Sequence, residues 1–113
     1  MAISYKIQGY DLTTSILTTV LTINTSSVAI VKEISIANDT GTANEVNFFV
    51  RDESATTSYK FYHNIIPSDS TDGAVNNTLV LEEGDSLQFQ SSAANAISGQ
   101  ISYALLSRTG ENG

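Results

Sequence analysis

Apolar and polar residues alternate with a period of two along most of this chain, and no other feature constrains its fold as tightly. Leu17, Leu21 and Ile23 fall on one face of such a run, and Val46, Phe48 and Val50 on one face of another. Val28, Ile30, Ile34 and Ile36 share a face, as do Tyr59, Phe61, His63 and Ile65. Leu87 and Phe89, then Ile101, Tyr103 and Leu105, repeat the pattern towards the end. Successive side chains of a strand point to opposite faces, so each run buries one face and leaves the other to solvent. No apolar stripe at helical spacing persists over three turns.

The runs predict strands over residues 3–8, 16–23, 28–38, 45–52, 58–65, 78–82, 86–91 and 100–107. About eight short strands in 113 residues make a single all-β domain. Its expected form is an antiparallel two-sheet β-sandwich, jelly-roll-like or immunoglobulin-like. Residues 1–14 read as an N-terminal arm or edge strand, 15–108 as the sandwich and 109–113 as a flexible tail. "NDTGTAN" (38–44) suits a hairpin turn in which Gly41 is free to take positive φ, and "DESATT" (52–57) suits a second. "PSDSTDGAVNN" (67–77) reads as a longer irregular loop and holds the only proline.

Charged residues make up 15% of the chain, against roughly 25% in ordinary globular domains, so Ser, Thr, Asn and Gln must carry the polar surface. The formal net charge of −7 repels phosphate backbones, and Lys6, Lys32, Arg51, Lys60 and Arg108 are scattered, so no nucleic-acid partner is expected. With no cysteine, neither disulfides nor thiolate metal sites can form within the chain. No apolar run approaches the ~20 residues of a spanning helix, and no charged and apolar export segment is visible; no membrane partner is expected.

The tightest group of carboxylates is Glu82, Glu83 and Asp85 around Gly84 in "LEEGDSL". Calcium needs six to eight oxygens from a defined loop, and the ligand spacing of such loops is missing. A corner between two strands, with glycine at positive φ and aspartate bonding nearby amides, fits better. His63 has no companion ligands and no nucleophile in a strained elbow to serve, so it reads as a structural residue with a hydrogen-bond partner. No glycine-rich phosphate loop occurs. The chain is therefore expected to be no enzyme, with no catalytic, cofactor or metal residues.

Phe49 and Tyr62 would point away from Phe48 and Phe61 if both of their segments are regular strands. Aromatic residues on both faces of one hairpin imply that the second face is covered too, by another subunit or a partner, unless a bulge returns one of them to the core. In the N-terminal segment Ile3, Tyr5 and Ile7 alternate as an added strand would. These five residues are the candidate interface.

The stretch "TSSVAIVKEISIANDTGTANEVNFFVRDESATTSYKFYHNIIP", followed by "LVLEEGDSLQFQSSAANAISGQISYALLSR", resembles small virion proteins of tailed bacteriophages over about residues 25–108. The resemblance is a pattern of turns and strands with no catalytic residue to transfer. It implies a virion structural protein, assembled in the host cytoplasm. The expected role is an oligomeric capsid decoration (cement) subunit, a homotrimer held to itself and to the major capsid protein. A neck, tail or fibre component, or a host-surface binding module, is the competing expectation. The loops hold no aromatic residue on which a sugar could stack, which disfavours glycan binding.

Overall fold

The computed structural model describes residues 2–74 and 78–107. Among them the chain forms nine strands and no helix: β1 (Ala2–Leu12), β2 (Thr18–Thr22), β3 (Ser27–Asn38), β4 (Asn44–Asp52), β5 (Thr57–Ile66), β6 (Ser70–Gly73), β7 (Leu79–Leu81), β8 (Ser86–Ser91) and β9 (Ile97–Ser107). One sheet runs β1-β9-β3-β6, with β7 sharing the β3 edge beside β6; the other runs β2-β8-β4-β5. Every pairing is antiparallel. The chain crosses between sheets at every connection except β4–β5 and β6–β7, which is the jelly-roll winding. The two-sheet expectation holds, and of its two forms the molecule is the jelly roll. The proposed tail, 109–113, lies outside the described residues, as does Arg108.

Three apolar rings from three strands meet at the centre. Phe48 (β4) and Phe89 (β8) stack with centroids 3.8 Å apart, and Tyr10 (β1) stands edge-on to Phe89 at 5.0 Å. Val46, Leu87, Ile34, Ile36 and Ile101 fill the space around them and are fully buried. Each such side chain removed from water contributes roughly 1.5–3 kcal/mol. The Tyr10 hydroxyl, enclosed with its ring, donates to the Ser35 carbonyl at 2.6 Å. That bond ties β1 to β3 across the intervening strand β9, and burial pushes the phenol's pKa well up.

Three β-bulges change which residues face inward. In β2 the register with β8 shifts between Thr19 and Leu21, so Val20 is an extra residue, and Leu17, expected on one face with Leu21 and Ile23, is exposed while those two are buried. In β3 the register with β9 shifts between Val31 and Glu33, so Lys32 is an extra residue. Ala29 and Val31 on one side of the bulge, and Ile34 and Ile36 on the other, all reach the core. Val28 and Ile30, expected beside Ile34 and Ile36, turn to the outer face. In β5 the shift lies opposite Phe48 and Phe49, which pair with Tyr62 and Lys60 and leave Phe61 as the extra residue. Ile66 is consequently buried, whereas His63 and Ile65, expected on the apolar face with Phe61, lie outside.

Two connections also differ from expectation. Residues 38–44 do not close a hairpin, because β3 and β4 belong to different sheets. Gly41 is not at positive φ; the side chain of Asn38 builds this crossing instead. Its amide donates to the carbonyls of Thr42 (2.8 Å) and Ile66 (2.9 Å), and its oxygen accepts from the Thr40 amide (3.1 Å). Within the supposed loop 67–77, Ser70–Gly73 forms β6 against Ser35–Asn38. "STDG" has no strand pattern of its own, and an exposed β3 edge imposes one.

Candidate interaction surfaces

The acidic corner is a strand connection. Gly84 takes φ +85°, and its amide and the Asp85 carbonyl bond the end of β2 at Ile23 (3.1 and 2.9 Å). Asp85 is buried, its two oxygens accepting the backbone amides of Glu53 (3.1 Å) and Glu82 (2.9 Å). The carboxylate thus pins the β4–β5 loop to the β7–β8 turn. Among the described residues no three His, Cys, Asp or Glu side chains are grouped as a metal ion would require.

His63 stands on the outer face of the second sheet. Its Nδ1 donates to the Asn47 side-chain oxygen at 2.8 Å, and Nε2 lies 3.6 Å from Glu45. Around it this face is largely polar, built from residues such as Gln88, Gln90 and Arg51, with Ile65 standing out beside it at 59% exposure. Phe49 lies on it too, half-buried, with the Lys60 ammonium 5.6 Å from its ring centre.

Tyr62 does not join Phe49 there. The Phe61 bulge turns it to the core side, where its ring lies 5.5 Å from Phe48. Its hydroxyl donates to Asp72 (2.8 Å), and the Asn64 amide donates to the same oxygen (3.0 Å). β5 and β6 are edge strands of different sheets, so this cluster clasps the sandwich along one side. The hydrogen bond from Tyr62 holds the Asp72 carboxyl below the usual carboxylate range. The picture of one hairpin with aromatics on both faces fails at Tyr62, since the bulge supplies the extra half-turn.

The N-terminal residues come together with others that the sequence pattern did not reveal. β1 is a full edge strand in continuous register with β9. Its C-terminal half carries Tyr10 and Leu12 into the core, while Ile3, Tyr5 and Ile7 stand out at 57%, 83% and 68% exposure. In register beside Tyr5 come Ala104 of β9, Ile30 of β3 and Val80 of β7, and beside Ile3 come Leu106 and Val28. An apolar patch therefore crosses four strands on the outer face of the first sheet. Val28 and Ile30 join it only through the Lys32 bulge, which no spacing rule could have located.

No family model matches the chain, and no curated protein does. Solved structures do match, at low identity. A chain in the acid-stable capsid of a Helicobacter pylori bacteriophage is 10% identical with a TM-score of 0.59, covering 93% of this chain and 87% of that one. A chain of infectious bursal disease virus is 11% identical with a TM-score of 0.55, over 92% of this chain but 31% of its own length. A subunit of the Bacillus endospore appendages, described as disulfide-linked pili, is 11% identical with a TM-score of 0.51, over 92% and 84%. The fold is thus one that viral capsid chains and a pilus subunit share. The absence of cysteine leaves the disulfide linkage of those pili without a counterpart within this chain.

Proposed function

We propose that this chain is a structural subunit of a bacteriophage virion, acting as a capsid decoration (cement) protein through protein–protein contacts. The observation that carries the reading is the jelly roll itself, matched along nearly the whole length of a phage capsid chain of similar size. The tailed-phage pattern of strands and turns in the sequence points the same way. The contact surface in this reading is the apolar outer face of the first sheet, with Ile3, Tyr5 and Ile7 at its rim. An exposed apolar patch over several strands is what a protein–protein surface requires. Phe49 contributes little, being half-covered by Lys60, and Tyr62 is engaged with Asp72. The two aromatics therefore lend little support to a covered second face of that hairpin, and in this reading self-association runs through β1.

A neck, tail or fibre role uses the same fold and is the second reading. A surface concavity lined by residues 37–39 and 69–71 offers no aromatic side chain on which a sugar could stack, which does not favour its host-binding form.

Particles produced with and without this protein test the proposal. Those lacking it should lose their genome at lower temperature and on milder osmotic shock, and adding the purified protein should restore resistance. Equal resistance in both preparations would remove the cement role and favour the neck or tail reading.

A further inference from the structure

β1 is a long, regular edge left without a partner. It runs 11 residues and pairs on one side with β9 without a register break. Among the described residues no strand lies on its other side. Natural edges are blunted by bulges, prolines or several charges. Over residues 2–8 this one has none of these except Lys6. We propose that the β1 edge pairs antiparallel with the β1 edge of a second copy, about a two-fold axis at Tyr5. The inference deepens the self-association part of the reading above and rests on it.

Register selects that axis. Residues opposite one another in a two-fold antiparallel pair lie on the same face. Centred on Tyr5, the pairing sets Ile3 against Ile7 of the partner subunit and Tyr5 against its own counterpart, while Ser4 meets Lys6. Centred on Lys6, it would oppose two ammonium groups. Centred on Ile7, it would set Ile3 against Asp11, and centred on Ser4 it would carry Ile7 past Ala2, where β1 ends. Only the Tyr5 axis gives all three exposed apolar residues apolar partners without a like-charge contact.

Charge selects a second copy as the occupant. The chain has 12 acidic residues, yet none lies in 2–8, 27–31, 79–81 or 97–107, the segments that form this edge and the patch behind it. The nearest described carboxylate in that register, Glu33, lies two strands behind the edge, beside Ser102 and Ile7. Two copies of net charge −7 can therefore pair along the edge without directly opposed carboxylates, whereas a basic partner would find none within residues 2–8. The patch alone, four strands by about five residues, projects to on the order of 300 Å². Stable pairs bury about 800 Å² on each side. Backbone hydrogen bonds along the edge must add to the patch, and the pair is accordingly weak and concentration-dependent in isolation.

Because the chain has no cysteine, single cysteines report the register directly. Opposed residues have Cα atoms about 4.5–5.5 Å apart, within disulfide reach. Under mild oxidation Tyr5→Cys should form a linked dimer, Ile7→Cys alone should not, and an equimolar mixture of Ile3→Cys and Ile7→Cys should. Sedimentation velocity of the unmodified chain should show a dimer growing with concentration. Tyr5→Lys, at a position 83% exposed, should raise the dimer Kd by about tenfold or more with an unchanged circular-dichroism spectrum. The proposal is overturned by a monomer at every concentration, by cross-linking of Ile7→Cys alone in place of Tyr5→Cys, or by a dimer indifferent to Tyr5→Lys. A monomer that still binds particles would overturn it and leave the virion reading standing.

Discussion

Glycine and tyrosine act as a pair where β1, β9 and β3 run side by side. Tyr10 lies opposite Gly99, and a Cβ added to Gly99 would sit 2.0 Å from the Ser35 carbonyl oxygen and 2.8 Å from the Tyr10 hydroxyl. Gly99→Ala should therefore cost about 4 kcal/mol or more, the range of severe core disruptions, in a urea melt. Tyr10→Phe removes one hydrogen bond to a part-buried carbonyl and should cost about 1–2 kcal/mol. Gly84→Val forces a β-branched residue to φ +85° and should cost about 1–3 kcal/mol, although space for its Cβ exists. Asp72 gives a pH signature. Its carboxyl is held below its unfolded value, chiefly by the Tyr62 hydroxyl, so its contribution is present above the unfolded pKa and lost as pH falls through the folded one. The cluster is exposed, so the effect is small and screened by salt. Thermal scans from pH 6 down to 2 should show the acid loss reduced in Tyr62→Phe at low ionic strength.

Strands were legible from the sequence wherever one face alternates and the pairing is regular. Val46, Phe48, Leu87 and Phe89 face inward as their spacing demands. The pattern misled at Val20, Lys32 and Phe61, because one inserted residue reverses every side chain beyond it without altering composition. β6 was invisible because pairing with β3, and not its own residues, makes it a strand. The candidate interface was half-legible: Ile3, Tyr5 and Ile7 alternate openly, while Val28, Ile30 and Ala104 join them only through the sheet. β1 itself divides into two functions. Residues 3–9 are exposed, whereas Tyr10 and Leu12 lie in the core. Removing 1–8 should leave a cooperative unfolding transition with a modest loss of stability. Extending the deletion through Leu12 should abolish it, since an aromatic and an aliphatic core residue, each worth about 2–5 kcal/mol, go together.

As a whole the molecule is elongated, 51 × 27 × 23 Å, and the apolar patch lies where residues 3–9 of β1 are exposed on both faces. The largely polar face around His63 and the edge at Ile3–Ile7, where no carboxylate lies among the described residues, differ in character, which suits attachment through the latter in the proposed role. A surface built largely from Ser, Thr, Asn and Gln, with lysine scarce, suits contacts that must be specific, since lysine is depleted where proteins meet. The proposal that this jelly roll is a stoichiometric part of a phage particle is tested most directly by a cryo-electron-microscopic reconstruction of the intact virion. If it holds, the reconstruction should show density for the fold at repeated positions on the outer shell, with the Ile3–Tyr5–Ile7 edge in contact and the His63 face towards solvent. A particle that packages and infects with no such density anywhere on it would overturn the proposal.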